Sequence, residues 1–287
     1  MTAQAFDTRA CDLGEGPLWH PLRKELFWFD ITGRRMLSRK ETQTQEWQFE
    51  EMHSAAGWID SDTLLLASET GLWRFDLGNG TRNLICHLEK DNVVTRSNDG
   101  RADPQGGFWI GTMGKKAETG AGSIWRWYRG TLRQLFTSIT IPNAISFAPD
   151  GKSACFCDTV SKQVMRVALD AEGWPAGKPE MYLDLVAEGL NPDGAVIDAT
   201  GAIWIAQWGA ARAACYGADG AFIRAIDVPA PHASCPAFGG PDLQTIFVTT
   251  ARQGMTPEQH IAAPHSGQTF MAPSGVRGQA EHQVLID

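Results

Sequence analysis

A repeated unit constrains this chain more than any other feature. Each copy consists of a short apolar strand, a tight turn and a second apolar strand that carries aromatic residues. The copies start at residues 15, 56, 98, 143, 193 and 234, so successive starts are 41, 42, 45, 50 and 41 residues apart. A period of about 40 to 50 residues is typical of the four-stranded blades of propellers. The sequence therefore predicts an all-β fold, a six-bladed β-propeller with four-stranded antiparallel blades.

The turns inside the copies favour the same architecture. Asp150-Gly151 and Thr200-Gly201 separate two apolar runs, as a hairpin turn does when it needs a positive φ. The 30 glycines and 15 prolines disfavour long helices, and the 11 tryptophans suit pleated surfaces. Since no linker interrupts the pattern, we interpret residues 1–287 as a single propeller domain.

Charge and cysteine content exclude several classes of function. Acidic residues exceed basic ones by 33 to 25, which makes nucleic acid and anionic membranes poor partners. The sequence has no basic and apolar leader at its start and no run of about 18 apolar residues. Its six cysteines are too sparse for a disulfide framework. These features predict a protein with reduced thiols in the cytoplasm.

One position of the repeat carries a polar side chain in four copies. Asn98, Asn143 and Asp193 each lie eight residues before a turn glycine, and Glu15 precedes Pro21 by the same six residues that separate Asn98 and Asn143 from prolines. We expect this position just ahead of the first strand of each blade, which lines the central channel. Each residue alone is also an ordinary turn former. Their shared register instead favours convergence at one mouth of the channel.

Such a cluster needs a positive charge. When two carboxylates and two carboxamides face one axis, the negative charges repel each other and lose contact with water. This arrangement is unfavourable unless a cation or strong hydrogen-bond donors lie between the side chains. Oxygen ligands without His or Cys favour Ca²⁺, Mg²⁺ or Mn²⁺, with Fe²⁺ or Zn²⁺ as alternatives, and none of the seven histidines falls at this position. We therefore expect one divalent metal ion. Arg96, two residues before Asn98, either donates to substrate oxygens at the same mouth or is a solvated loop arginine.

Several ordered motifs resemble the regucalcin / gluconolactonase / luciferin-regenerating enzyme family. They are Leu13-Gly-Glu-Gly-Pro-Leu-Trp19, Arg96-Ser-Asn-Asp-Gly-Arg-Ala-Asp-Pro104, Gly111-Thr-Met113, Asn143 ahead of Ser-Phe-Ala-Pro-Asp-Gly151, and Pro192-Asp-Gly194. The resemblance spans nearly the whole chain and implies a six-bladed propeller. It also implies that Glu15, Asn143 and Asp193 are the metal ligands and that Arg96 and Asn98 hold a sugar.

The resemblance implies hydrolysis of a sugar-acid lactone, an aldonolactone, to the open-chain acid. That reaction needs a polarised carbonyl, a deprotonated water and a proton for the leaving oxygen, and a divalent cation with open positions supplies the first and eases the second. Asp193 is the candidate general base that assists water attack. Two alternatives stay open: a non-catalytic calcium-binding or regulatory propeller, a role also claimed in the family, and a propeller hydrolase of another ester.

The chain departs from the family pattern in two places. Pro142-Asn-Ala-Ile145 stands where Ser-Asn-Gly-Leu is common, a change that should alter packing more than metal ligation. Lys116, with Lys115 beside it, occupies the position of an acidic residue that contacts substrate in regucalcin. A cation there favours a substrate with a carboxylate or sulfonate. Lys116 is therefore a candidate substrate-binding residue, and the alternative is that both lysines point into solvent and the substrate is neutral.

Overall fold

A computed structural model of the protein describes residues 1–286, so Asp287, the last residue of the expected 1–287 domain, lies outside the described residues. The strands of the described chain form six sheets of four strands, and every pairing between neighbouring strands is antiparallel. The first strands of neighbouring blades contact one another around the ring. The predicted six-bladed β-propeller is confirmed.

The six blades follow chain order. Blade 1 comprises β2 (Gly14–His20), β3 (Glu25–Asp30), β4 (Arg35–Lys40) and β5 (Gln43–Gln48). Blade 2 comprises β6 (His53–Trp58), β7 (Thr63–Ser68), β8 (Gly71–Asp76) and β9 (Arg82–His87). Blade 3 comprises β10 (Thr95–Ala102), β11 (Phe108–Gly114), β12 (Gly122–Tyr128) and β13 (Thr131–Ile139). Blade 4 comprises β14 (Pro142–Phe147), β15 (Ser153–Asp158), β16 (Gln163–Ala168) and β17 (Glu180–Asp184). Blade 5 comprises β18 (Asn191–Ile197), β19 (Ile203–Trp208), β20 (Arg212–Tyr216) and β21 (Phe222–Asp227). Blade 6 comprises β22 (Ala233–Gly239), β23 (Thr245–Thr250), β24 (Thr269–Pro273) and β1 (Gln4–Asp7).

Blade 6 joins the two ends of the chain. Its outermost strand is β1, which pairs with β24 so that Gln4 lies opposite Met271 and Ala5 opposite Phe270. Between β23 and β24 the chain forms a short helix, α1 (Pro257–Ala262). No helix within residues 1–286 is long and apolar enough to cross a membrane. The pairing of β1 with β24 completes blade 6, and the contact of β22 with β2 of blade 1 closes the ring of first strands.

The apolar core lies between adjacent blades. The cluster between blades 5 and 6, for example, packs Trp204 and Cys215 against Phe238 and Val248, all of which are buried. Burying one such large side chain stabilises the fold by about 1.5–3 kcal/mol. Because each blade buries its faces against its neighbours, residues from different blades are held in fixed positions around the channel.

One end of the channel is covered by the C-terminal segment. Gln279 donates through its side-chain nitrogen to the carbonyls of Phe147 and Ile197, at 3.0 and 2.9 Å, where the first strands of blades 4 and 5 end. Further along the segment, the backbone N–H of Val284 donates to the carbonyl of Trp58 at the end of the first strand of blade 2. The segment therefore covers the end of the channel opposite to the starts of the first strands.

Candidate functional site

The aligned polar residues lie at a bulge in each first strand. The pairing between first and second strands shifts register at this point in all six blades. The four residues therefore lie inside the first strands, near their N-terminal ends, and not just ahead of those strands as expected. A bulge adds an unpaired residue and re-aims its side chain. In four blades the shifts fall between Glu15 and Leu18, Ser97 and Gly100, Asn143 and Ser146, and Pro192 and Ala195.

In blades 2 and 6 serine takes the same place. Ser54 and Ser234 lie at the register shifts of these blades, so the second repeat is aligned two residues earlier than the expected start at Ala56. The Ser54 hydroxyl donates to the hydroxyl of Ser97 at 2.8 Å, and the Ser234 hydroxyl donates to the carbonyl of Gly14 at 2.5 Å. Both hydroxyls bind neighbouring strands. The channel axis is left to the longer polar side chains of the other four blades.

These side chains meet in a cavity of about 150 Å³. It contains all five of the expected site residues of the first strands: Glu15, Arg96, Asn98, Asn143 and Asp193. The other lining residues are Leu13, Met113, Ile141, Thr159, Trp208 and Gln253. The radial architecture thus brings together residues that are far apart in the sequence, as the repeat register predicted.

Lys116 lies outside this set. Its side chain is exposed, and its backbone N–H donates to a carboxylate oxygen of Glu118 at 3.0 Å. Its neighbour Lys115 forms an ion pair with Glu69 at 2.5 Å. Lys116 follows Met113, which does line the cavity, by three residues. The lysine therefore lies beyond the cavity wall and not among the residues that form it.

The carboxylates of the cavity destabilise one another when they are charged. Glu15 and Asp193 are both 6% exposed. Burial, followed by the charge of Asp99, raises the pKa of Glu15 to about 8. Burial, followed by the charges of Glu15 and Asp99, raises the pKa of Asp193 well above its ordinary value. When these carboxyl groups are ionised, their negative charge therefore exceeds the positive charge that the surrounding protein groups supply.

Arg96 is the cation that these acids face. Burial lowers the pKa of its guanidinium to about 10, while the charges of Glu15 and Asp193 act in the opposite direction. The group stays protonated at neutral pH. In the part of the chain that the structure describes, it donates through Nη1 only, to the Ser97 carbonyl and to Oδ1 of Asn98, both at 2.8 Å. Its other N–H groups are free to donate to a ligand in the cavity.

Two carboxamides connect blades 3 and 4. The side-chain nitrogen of Asn98 donates to Oδ1 of Asn143 and to the carbonyl of Pro142, both at 3.1 Å. Because Arg96 can only donate, the oxygen of Asn98 must face Arg96 and its nitrogen must face Asn143. Both N–H protons of Asn98 therefore donate to protein atoms. Only its side-chain oxygen can still accept a hydrogen bond from a ligand.

Sequence comparison with known families gives one match. The family described as the SMP-30/Gluconolactonase/LRE-like region matches residues 13–252, which include every residue of the cavity except Gln253. The chain belongs to this family.

Relatives in the SMP-30/gluconolactonase/LRE-like family match nearly end to end. A Rhizobium meliloti protein provisionally named a sugar lactone lactonase is 40% identical and covers 98% of this chain and 96% of its own length. The pentonolactonase of Haloferax volcanii is 34% identical over 88% of this chain and 86% of its own. The crystal structure of a calcium-binding protein, regucalcin, from Agrobacterium tumefaciens has a TM-score of 0.95 at 38% identity and covers 100% of this chain and 97% of that one.

The donor set of this SMP-30/gluconolactonase/LRE-like chain fits a hard divalent cation. Glu15 and Asp193 supply two buried carboxylates with raised pKa values, and Asn143 lines the cavity and turns its amide oxygen toward Asn98. Oxygen donors of this kind suit Ca²⁺, Mg²⁺ or Mn²⁺. Within residues 1–286 no three His, Cys, Asp or Glu side chains are arranged to hold a metal. A cation here would therefore depend on the amide oxygen of Asn143 as its third protein ligand.

Ala144, where the resemblance leads us to expect glycine, has a left-handed backbone. Its φ is 58°, a left-handed conformation that costs a residue with a Cβ about 1–2 kcal/mol. The methyl group is fully buried, and the neighbouring Asn143 still lines the cavity. The substitution therefore changes the packing and the backbone energy beside Asn143 without removing its side chain from the site.

Two cavity residues with clear structural roles, Thr159 and Trp208, lie outside the repeated polar position and were not expected from the sequence. Thr159 directly follows the second strand of blade 4, and Trp208 ends the second strand of blade 5, outside the aligned position. The ring of Trp208 stacks on His232 with centroids 4.2 Å apart and an interplanar angle of 11°. Neither residue type recurs at the same position of the other blades. Only an inspection of the ends of the second strands, blade by blade, would have indicated these two residues.

Proposed function

We propose that this protein hydrolyses a sugar-acid lactone, an aldonolactone, to the open-chain acid, with one divalent metal ion as cofactor. The single observation that carries the proposal is the convergence of two buried, mutually destabilising carboxylates with a carboxamide oxygen in one cavity. Membership of a family that includes proteins named pentonolactonase and L-arabinolactonase supports the same reaction.

Glu15, Asn143 and Asp193 are the residues that would hold the metal. Burial is the main cause of the raised carboxyl pKa values of Glu15 and Asp193, and a positive charge between these two groups would stabilise the site strongly. When bound, such a cation supplies polarisation of the lactone carbonyl and a lower pKa for a water molecule. The protein supplies the fixed positions of the three oxygen donors on three different blades.

Arg96 is proposed to bind and orient the substrate. Its free N–H groups border the cavity, and a charged donor of this kind favours sugar hydroxyl and carbonyl oxygens. Asn98 holds Arg96 through its oxygen and Asn143 through its nitrogen, so its contact with substrate is restricted to that oxygen. A fixed substrate orientation lowers the activation barrier by several kcal/mol, and the largest reductions of this kind are about 7–11 kcal/mol.

Asp193 is proposed to accept a proton from the attacking water. Burial and the neighbouring carboxylates raise its pKa well above the ordinary value, which makes the carboxylate a stronger proton acceptor. A cation held by the same group opposes this effect. Asp193→Asn separates the two roles, because the amide keeps an oxygen that can ligate a metal but cannot act as a base near neutral pH.

The substrate is proposed to be a single sugar ring. The cavity of about 150 Å³ is lined both by polar groups and by the apolar side chains of Leu13, Met113, Ile141 and Trp208. A lactone ring presents both C–H faces and oxygen atoms, so it suits a lining of this composition. A contact from Lys116 would extend only to an acidic or sulfonated group that projects out of the cavity.

The proposed location is the cytoplasm. All six cysteines are free, and five of them are buried. Unpaired thiols are typical of proteins in a reducing compartment.

A metal-dependent activity screen tests the proposal. Pentono-, hexono-, acidic and sulfonated lactones are assayed with Ca²⁺, Mg²⁺, Mn²⁺ and Zn²⁺ before and after chelation. We expect turnover that chelation abolishes and selected metals restore. Glu15→Ala and Asp193→Ala should lose both bound metal and turnover with the fold retained, while the exposed control Asp91→Ala keeps both. Metal binding without turnover of any lactone would instead support the non-catalytic propeller.

A further inference from the structure

Thr159 makes hydrogen bonds to two different strands at the edge of the cavity. It directly follows the second strand of blade 4, and its backbone N–H donates to the carbonyl of Ile141 at 3.0 Å. Its hydroxyl lies 2.8 Å from the carbonyl oxygen of Pro192 and 2.9 Å from the side-chain nitrogen of Asn143. The hydroxyl therefore lies between the first strands of blades 4 and 5.

Proton counting determines the direction of both bonds. A threonine hydroxyl has one proton to donate and two lone pairs. A backbone carbonyl can only accept, so the hydroxyl donates its proton to Pro192. It must then accept from Asn143, and the group of Asn143 that faces Thr159 is consequently the NH₂.

The oxygen of Asn143 is thereby turned the other way. It accepts from the side-chain nitrogen of Asn98 at 3.1 Å. A flipped amide would set its NH₂ against the NH₂ of Asn98 and its oxygen against a hydroxyl with no proton left. Such a flip loses both hydrogen bonds and leaves partly buried polar groups without partners, so the observed orientation is strongly preferred.

The same hydroxyl acts on a second expected ligand. Pro192 immediately precedes Asp193, and its carbonyl accepts the Thr159 proton just where the register of blade 5 shifts. One side chain thus connects the amide of Asn143 in blade 4 with the backbone that carries Asp193 in blade 5.

We propose that Thr159 is a positioning residue for the cation site: it orients the Asn143 amide oxygen as a ligand and holds the strand that presents Asp193. This inference rests on the proposed metal dependence. Removing the hydroxyl while keeping the side-chain shape should weaken divalent metal binding about 10- to 100-fold, the usual effect of losing a group that orients a ligand.

The experiment compares Thr159→Val with Thr159→Ser. Affinity for Ca²⁺ and Mn²⁺ is measured by titration calorimetry, and the rise in melting temperature on adding each metal is measured in parallel. We expect the valine variant to lose 10- to 100-fold in affinity, about the range for such residues, and the serine variant to stay within about threefold of the wild type. Thr159→Ala replaces the valine variant if that protein is misfolded.

Thr250→Val is the matched control. Its hydroxyl is buried and donates to the carbonyl of Gln268 at 2.6 Å, but it touches none of the expected ligands and does not line the cavity. Equal metal affinity in Thr159→Val and the wild type would overturn the inference, and so would equal losses in Thr159→Val and Thr250→Val. A wild-type protein that binds no divalent ion would refute the metal dependence itself and this inference with it.

Discussion

The side-chain nitrogen of Asn98 donates a hydrogen bond to the side-chain oxygen of Asn143 across 3.1 Å, although the two residues are 45 positions apart in the chain. Both lie at the bulge of the first strand, Asn98 inside the bulge of blade 3 and Asn143 in the pair that precedes the bulge of blade 4. The distance between bulge residues of adjacent blades is thus short enough for direct contact at the channel mouth. Substitutions in one blade should therefore change the chemistry of the next.

Replacing Asn98 tests this contact. Asn98→Ala removes the donor to Asn143 and the acceptor for Arg96, while leaving Glu15, Asn143 and Asp193 in place. We expect one metal ion still to bind, with affinity reduced by less than about tenfold, and turnover to fall by about 10- to 100-fold. Metal titration and kinetics on the same preparation measure both. Complete loss of the ion would mean that Asn98 is itself a ligand.

The metal-free protein should lose stability as pH rises. Burial and then the Asp99 charge raise the pKa of Glu15 to about 8 from 4.5. The folded chain thus holds this proton more tightly than the unfolded chain, so the stabilisation is complete below about pH 4.5 and is lost as pH rises through about 8. In chelator, Glu15→Gln should remove this loss, which the shift from 4.5 to about 8 puts on the order of 4 kcal/mol at pH 8. Urea unfolding of both proteins at several pH values measures it, and equal slopes with pH would contradict the prediction.

Gly16, next to Glu15, should not tolerate a side chain. Its φ is +54°, and a Cβ there would lie 2.1 Å from the carbonyl oxygen of Ser54 in blade 2. Gly189 has a similar φ of +66° with nothing within 4 Å, so it is a matched control. We expect Gly189→Ala to cost about 1 kcal/mol from backbone strain alone, and Gly16→Ala to cost more than about 2 kcal/mol. Denaturant unfolding compares them, and equal costs would mean that the close approach of blades 1 and 2 relaxes freely.

Trp208 should contribute to substrate binding more than to turnover. Its ring lines the cavity and is held by stacking on His232. Loss of this apolar surface in Trp208→Ala should raise KM by about tenfold, equivalent to about 1.4 kcal/mol, with kcat within about threefold. Trp208→Phe keeps an aromatic face, so its KM should lie between the KM values of the wild type and of Trp208→Ala. A fall in kcat with unchanged KM would place the indole at the reacting atoms instead.

Lys116 should have a small, salt-sensitive effect on substrate choice. It is exposed and outside the cavity wall, so it can reach only a charged group that extends from the mouth. We expect Lys116→Ala to lower kcat/KM for an anionic lactone by about two- to threefold, to leave a neutral lactone of equal ring size unchanged, and to lose this difference at high salt. If the ratio of kcat/KM for the anionic lactone to kcat/KM for the neutral lactone is the same in both proteins at low and high ionic strength, the lysine contacts solvent only.

The repeat in the sequence was sufficient to predict the number of blades, the hairpin turns and the convergence of Glu15, Asn98, Asn143 and Asp193, because strand patterning, turn residues and their spacing are local properties. The bulge was not predictable, since it depends on how the first strand pairs with the second. As a result, the sequence placed these residues ahead of the strand, and the structure has them inside it.

Tertiary structure alone decided three further features. The fourth strand of blade 6 comes from the N-terminal residues Gln4–Asp7, the C-terminal segment covers the far end of the channel, and the Asn143 side-chain nitrogen donates to the hydroxyl of Thr159. None of these repeats in the sequence, because each arises from contacts between segments that meet only once the ring has closed. The amino-acid order thus specifies which side chains reach the channel, and the packing of blade against blade specifies the direction in which their hydrogen-bonding atoms point.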